Sequence, residues 1–405
     1  MTMQKNGANR GKWRSRYPEL GTGPVPLEPY ISREYYEQER ERIFRKVWLN
    51  VGRVEQIPHP GDYFVKDLAV CKTAIVVVRV DDGKVHAFHN MCSHRGNPVV
   101  WNTKGKCKTF TCRYHSWTYG LDGALRYVPD EKNFCGIKKE SLGLTPLAID
   151  TWEGFIFINI DPAPKATLQT YLGEVGRSFA GYPFAEIATG CSAWEIDVNA
   201  NWKVCKDAFQ EVYHIFSLHN RSTGAAFAGK SNPYLHVHEL ALFGTHARIS
   251  VPASLDWQPS PVEALAKRYG MLTLQKQGSS SQGMPGGVNP TGAPDWSFSG
   301  FVCFPNCCLY VSQGGFLTHI FWPLAENRTR WEARIYFPQA ETLAQRFSQE
   351  YSRATFTDGV MVEDGGTLEK TQAMLASGAK REIILGDEEL LIRHHHKIAE
   401  TYLNA

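Results

Sequence analysis

Apolar positions change their rhythm along this chain, and the changes mark out its parts. Over residues 32–47 Tyr36, Ile43 and Phe44, continued by Trp48, recur at near-helical spacing behind Ser32, a residue able to cap, which predicts a helix. Short alternating or continuous apolar runs then take over. Residues 62–65, 74–80 and 84–88 read as strands, the last two joined by Asp82-Gly83, a dipeptide suited to the positive φ of a tight hairpin. A second such turn, Asp122-Gly123, separates expected strands at 117–119 and 125–128. Strands at 145–149 and 154–160 follow, and Asp161-Pro-Ala-Pro164 closes the run. Residues 48–164 therefore read as a small all-β domain inside a longer chain, preceded by a segment 1–47.

Residues 165–405 have a mixed pattern. Helices are expected near 166–179, 341–355, 366–377 and 387–402, and an amphipathic one begins near Asn201. Strands are expected near 192–198 and dominate from 236 to 338, where 309–311, 316–322 and 330–337 imply an antiparallel sheet. The fold class is α+β. Residues 278–292 are rich in Gly, Ser and Pro, which cannot pack a core, and are expected to form a mobile loop. No internal repeat is present.

Composition narrows the classes. Hydrophobic content of 43% and charged content of 21% are those of an ordinary globular chain, and 405 residues allow two domains. A net charge of +3, with both signs interspersed, gives no reason to expect nucleic acid or an anionic membrane as partner. The first sixteen residues are polar and basic without an apolar run, so they read as a flexible cytoplasmic start, and no stretch is apolar enough to span a bilayer. The ten cysteines are unevenly spaced and do not read as a disulfide framework. All but Cys92 and Cys112, and so Cys303, Cys307 and Cys308 among them, are expected as buried thiols in strands.

Four of the remaining candidates stand close together. Cys92-Ser-His94 is followed after 17 residues by Cys112-Arg-Tyr-His115. Two thiolates and two imidazoles can hold a tetrahedral zinc, or a [2Fe–2S] cluster with two Cys on one iron and two His on the other. Each loop supplies one Cys and one His, whereas a finger-type zinc site more often pairs Cys with Cys and His with His. The stretches Cys92-Ser-His94-Arg95-Gly96 and Cys112-Arg-Tyr-His115-Ser-Trp117 resemble the two Rieske loops of ring-hydroxylating oxygenases. They resemble those of respiratory Rieske carriers less, because neither loop carries the extra Cys found there. The resemblance implies a Rieske [2Fe–2S] cluster on Cys92, His94, Cys112 and His115.

A second constellation begins at Asn201-Trp-Lys and runs through Asp207 and Glu211 to His214 and His219. Two imidazoles and a carboxylate on one face of a metal leave open positions for dioxygen, as in non-haem Fe(II) oxygenases. Glu211 and His214, three apart, are expected on one helix face, while His214 and His219 would lie about 140° apart on a regular helix. A π-bulge or break is therefore expected between them. The run resembles the same family's Asn-Trp-Lys…Asp/Glu-x-x-His-x4-His signature. By that resemblance His214 and His219 are ligands of a mononuclear Fe(II), and Glu211 is the carboxylate bridging a ligand His to the outer His of a Rieske cluster. The third ligand is Asp364 in Glu363-Asp364…Glu369-x-x-Gln372, with Asp358 and Glu363 as competitors and a helix N-cap as the alternative use of Asp364. Many relatives have Asp at 211 and Asn at 207; Asp207 either tunes the site or faces solvent.

The resemblance also implies the architecture and the partners: an inserted Rieske domain at 48–164, a helix-grip catalytic domain at 165–405, and a segment 1–47 packing on the latter. Without a dinucleotide loop of its own, the chain is expected to draw electrons from an NAD(P)H-dependent reductase, with or without a ferredoxin, and to form a homotrimer, with or without a beta subunit. Lys104, Lys106 and Lys108, near Arg95 and Arg113, form a candidate docking rim for an acidic donor or simply a solvated loop. Phe209, Val212, Ile215, Phe216 and Leu218 suit a pocket for a small apolar substrate or ordinary core packing. The expected reaction is hydroxylation or dihydroxylation of an aromatic or other apolar ring. The alternatives are demethylation or C–N cleavage, including that of quaternary ammonium compounds such as carnitine, and, in another class, a non-catalytic Rieske carrier or a zinc-stabilised binding protein. His394–His396 resembles a metal tract but is expected to pack within the last helix.

Overall fold

A computed structural model describes residues 12–268 and 284–405, and these form two units. The smaller comprises Glu37–Gly176 with Trp322–Leu324. Its core is three small sheets. One has four strands, in the order Val85–His89, Thr73–Arg79, Asp62–Leu68 and Lys104–Lys106. The centre of Thr73–Arg79 is apolar on both faces and wholly buried, which is why it lies inside this sheet and the lysine-bearing strand at its edge. Thr109–Thr111, Thr118–Gly120 and Leu125–Tyr127 form the second sheet. The hairpin turn closing its last two strands needs glycine: Gly123 has φ +82°, and a Cβ there would lie 2.4 Å from the ring of Phe88.

The third sheet departs from expectation. The strand read at 145–149 runs instead from Ala148 to Trp152, pairing with Phe155–Asn159. Its register is set by the turn at Glu153 and Gly154, both at positive φ, while Pro146, with no N–H, makes only an isolated bridge to Phe88. The helix read at 32–47 is regular only over Arg33–Glu39 and widens into a π-turn at Arg40–Phe44.

The larger unit comprises residues 12–36 of the described chain with Arg177–Phe321 and Ala325–Ala405. Its seven-stranded sheet has the order Gly190–Val198, Arg328–Phe337, Phe316–Ala325, Cys307–Val311, Trp296–Cys303, His246–Pro252 and Glu239–Phe243. Apart from the first, these strands form a continuous meander, so local hairpins fix most of the register. Leu343–Ala354, Met361–Leu375 and Leu390–Asn404 are its principal late helices, the first opened by a capping box of Thr342 and Gln345.

Three local readings are corrected. Of residues 1–16, expected to be flexible, 1–11 lie outside the described residues, but Lys12–Arg16 is a helical turn whose Trp13 is buried and whose backbone donates to Asp387. Residues 278–283 of the expected mobile loop also lie outside the described residues. Over 284–292, however, Val288 is fully buried and Gly287 packs so close to the Ser178 carbonyl that a Cβ would lie 2.2 Å from it. The third concerns the thiols. Cys303, Cys307 and Cys308 are buried in strands as expected, but Cys205 is buried in a helix, and Cys135 and Cys191 are exposed. His394, His395 and His396 are all buried in the last helix. Among the described residues no helix is long and apolar enough to cross a membrane.

Candidate functional site

In the smaller unit the two Cys/His loops have the same backbone construction. Cys92 N–H donates to the Asn97 carbonyl and Gly96 N–H to the Cys92 carbonyl; Cys112 N–H donates to Trp117 and Ser116 N–H to Cys112 in the same pattern. The residue four beyond each Cys has positive φ, +73° at Gly96 and +59° at Ser116. Each loop is thus a tight turn around its sulfur, and the one-residue difference in His spacing is absorbed within equivalent frames. The Cys92 sulfur lies 3.2 Å from the Tyr119 hydroxyl, and Asn97 Nδ2 lies 3.8 Å from the Cys112 sulfur. His94 stacks on Trp117 at 4.9 Å, and its ring centroid is 4.5 Å from that of His115. His94 Nδ1 is buried with no hydrogen-bond partner among the described residues. An orphaned imidazole nitrogen beside paired thiols is what a soft-metal cluster satisfies, so the residues fit a Rieske cluster.

In the larger unit Asn201 caps the helix Trp202–Asp207, its side chain accepting from Lys203 N–H at 2.9 Å. The helix stops there. The Tyr310 hydroxyl donates to the Phe209 carbonyl and draws the chain out of helical geometry. Glu211 therefore precedes the next helical turn rather than sharing a helix face with His214. Nor does a π-bulge separate the histidines: His214 and His219 flank one regular turn, Ile215–Leu218, as its first and last neighbours. The irregularity lies on either side of that turn, and the ring centroids come to 5.1 Å. The π-turn is elsewhere, at Thr355–Val360, directly ahead of the helix Met361–Leu375 that carries Asp364. This helix starts five residues earlier than expected, so Asp364 is inside it and is not its N-cap.

The helix is held against the histidine segment by two of the motif residues. Gln372 accepts from the Asn201 N–H at 2.8 Å, and Glu369 accepts from the backbone and side chain of Asn199. Glu363 and Asp358 do not join the cluster as ligand candidates. Glu363 accepts from His219 Nδ1 at 2.7 Å and from the Ser222 hydroxyl at 2.7 Å, and Asp358 accepts from Thr357.

The tautomers follow from these partners. A carboxylate can only accept, so His219 carries its proton on Nδ1 toward Glu363, and His214 on Nδ1 toward Glu211. Burial opposes a charged His214, and the adjacent Glu211 carboxylate outweighs it, raising that imidazole above its ordinary value. Both Nε2 atoms then face Asp364 Oδ1, at 3.2 Å from His219 and 3.8 Å from His214. That oxygen is buried and has no hydrogen-bond partner among the described residues. Two imidazole nitrogens and a buried carboxylate oxygen within 4.8 Å of one another offer a cation three ligand atoms at once. The residues fit a mononuclear iron.

The triad borders an apolar cavity walled by Phe209, Phe227, Phe298, Tyr310, Phe316 and Phe356, with Val212 and Ile215. Of the other apolar residues read near the ligands, Leu218 lines a second cavity on which Asp207, Glu211 and Glu389 also border, and Phe216 packs against Tyr213 and Tyr234. Asp207 does not face solvent: it accepts from the Tyr30 hydroxyl at 2.6 Å and from Gln210 at 2.9 Å. Sequence reasoning passed over His319, which lines the first cavity from the strand Phe316–Ala325; a lone histidine in an otherwise apolar run was the available signal.

Residues 47–151 match the family model of the Rieske [2Fe-2S] domain, and residues 186–405 that of the ring hydroxylating alpha subunit catalytic domain. Over 203 residues the chain is 36% identical to biphenyl 2,3-dioxygenase subunit alpha of Rhodococcus jostii, an alignment that covers 48% of this chain and 42% of that one. The match thus spans less than half of that relative. The carnitine monooxygenase oxygenase subunit of Acinetobacter baumannii is 28% identical over 356 residues, covering 87% of this chain and 85% of that one. Among solved structures, a quaternary ammonium Rieske monooxygenase in complex with an inhibitor has the same fold, with a TM-score of 0.76 at 22% identity over 95% of this chain and 97% of that one. A [2Fe–2S] cluster goes with the first of these domain models and a mononuclear iron with the second. The chain belongs to the Rieske-type ring-hydroxylating oxygenases, as an alpha, or catalytic, subunit.

Proposed function

We propose that this chain is the oxygenase component of a system that hydroxylates or dihydroxylates an aromatic or other apolar ring compound. The observation that carries this reading is the buried Asp364 oxygen, without a hydrogen-bond partner among the described residues, facing two imidazole Nε2 atoms at the edge of an aromatic-walled cavity. When bound, the cluster supplies electrons singly and the iron supplies the centre at which dioxygen is activated. His214, His219 and Asp364 hold the iron, and Cys92, Cys112, His94 and His115 hold the cluster. Glu363 keeps the His219 proton on Nδ1 and so aims Nε2 at the metal; Glu211 does the same for His214. The cavity walls exclude water and hold a flat apolar ring against the triad.

Glu211 has a second role in this reading. It links His214 to the outer His115 of a neighbouring subunit's cluster in a head-to-tail homotrimer, with Asp207 setting the local field. Electrons reach the cluster from an NAD(P)H-dependent reductase, directly or through a ferredoxin, and a cytoplasmic setting goes with that supply. A quaternary ammonium substrate is the second reading, favoured by the carnitine-oxidising relative and by aromatic walls that attract such cations. Against a carboxylate-bearing member of that class, no Lys or Arg lines the cavity among the described residues. The test is Glu211→Ala in the system reconstituted with Fe(II) in excess, which offsets the lost support of His214: three irons per chain are reached while turnover is lost. Near-normal product formation in that variant refutes the bridge.

A further inference from the structure

His319 is 1% exposed and sits in the strand Phe316–Ala325, in register with Cys308 of the neighbouring strand. With Leu317 two residues before it, it lines the cavity beside the triad. Its ring is held on several sides: Phe209 at 4.3 Å between centroids, Phe356 at 5.7 Å and Tyr310 at 5.8 Å. Trp331 places its indole nitrogen 3.0 Å from His319 Nδ1. An indole N–H can only donate, so Nδ1 is the acceptor and a neutral His319 must carry its proton on Nε2. Burial alone pulls the His319 pKa down to about 3, so the ring is neutral at ordinary pH.

With Nδ1 taken by Trp331, Nε2–H is the donor His319 has left to offer to the cavity that it lines. The other polar side chains on the wall are differently placed. Tyr310 and Ser312 donate to the backbone carbonyls of Phe209 and Gly315. Thr223 offers a hydroxyl that both donates and accepts, and so discriminates less sharply. Outside the triad, His319 is the one side-chain nitrogen on the wall among the described residues.

We infer that His319 is a specificity-determining residue: its Nε2–H, fixed by Trp331, donates to a neutral acceptor, such as an ether or carbonyl oxygen, on a ring substrate that is otherwise apolar. The inference rests on the ring-substrate reading above and narrows it. A buried donor left without a partner penalises a ligand that offers only carbon at that point, so selectivity falls on the presence of the acceptor. Trp331 is a positioning residue, since without its indole the proton can move to Nδ1.

The test compares methoxybenzene with ethylbenzene, which differ by one ether oxygen in place of a methylene. Dissociation constants are measured by calorimetry on the iron-loaded protein and corrected for each compound's transfer from water. The wild type is expected to favour methoxybenzene by roughly three- to tenfold. His319→Phe abolishes the preference, His319→Gln, which keeps an N–H donor, restores part of it, and Trp331→Phe lowers it. An equal ratio in wild type and His319→Phe, or no binding of either compound by the wild type, overturns the inference. Product analysis on the same samples keeps the two readings apart. Lost selectivity with oxygenated product leaves the oxygenase reading standing, whereas intact selectivity without product in any variant removes that reading and spares the donor.

Discussion

The substitution Asp364→Asn separates the cost of the metal site from its use. In the iron-free protein Asp364 Oδ1 is buried without a hydrogen-bond partner among the described residues, 3.2 Å from His219 Nε2. A buried acceptor left in that state costs about 1–3 kcal/mol. Asparagine has the same shape and brings an N–H that can donate to His219 Nε2, so the iron-free variant should be more stable than the iron-free wild type by about that amount. For a unit of this size each kcal/mol moves the midpoint by about 2–4 °C. With iron the order reverses, because binding to the native state stabilises the wild type and the variant has lost a ligand. Differential scanning calorimetry of chelated and iron-loaded samples, with metal analysis, gives both halves. The expected result is a higher midpoint for the chelated variant and two irons per chain in place of three. A chelated variant less stable than wild type, or one that still holds three irons, refutes the reasoning.

Glu363→Ala should leave all three ligands in place but free the His219 ring, weakening iron retention about 10–100-fold in a chelator competition; unchanged retention would show that Glu363 does not orient His219. The depressed pKa of His319 has a sign in stability. The unfolded chain binds the proton below about pH 6.5 and the folded one only near pH 3, so stability present above 6.5 is lost as pH falls toward 3. Between pH 7 and pH 4 this amounts to about 3 kcal/mol. His319→Phe should lose that much less on acidification in urea melts at the two pH values, and an equal loss in both proteins contradicts it. Lys104, Lys108, Arg95 and Arg113 are exposed. Electrostatic steering of an acidic donor predicts that kcat/KM for that donor falls steeply as salt is raised, and a flat response assigns these residues to a solvated loop.

What could be read directly from the chain was whatever its local geometry determines. The two Cys/His loops are self-contained turns, each closed by its own hydrogen bonds, so spacing alone conveyed their chemistry. Hairpins with Asp-Gly turns were equally readable. The histidine pair was visible as residues, but the path between them was not. The helix beginning at Trp202 ends at Asp207 because Tyr310, from a distant strand, takes the Phe209 carbonyl. The angular spacing of a regular helix therefore implies an irregularity between the histidines, whereas the chain has it outside them. Gly365 and Gly366 hid the true start of the late helix, which is held by Gln372 and Glu369 to Asn201 and Asn199 despite its poor local propensity. His319 was illegible for the same kind of reason, since its tautomer depends on Trp331, a residue brought beside it only by the folded sheet.

The most direct measurement is anomalous diffraction at the iron edge on crystals of iron-loaded protein. The account predicts two kinds of peak: a close pair between the Cys92–His94 and Cys112–His115 loops, and a single peak within bonding distance of His214 Nε2, His219 Nε2 and Asp364. Zinc alone in the loops, or no iron at the triad of a protein that turns over substrate, would contradict it.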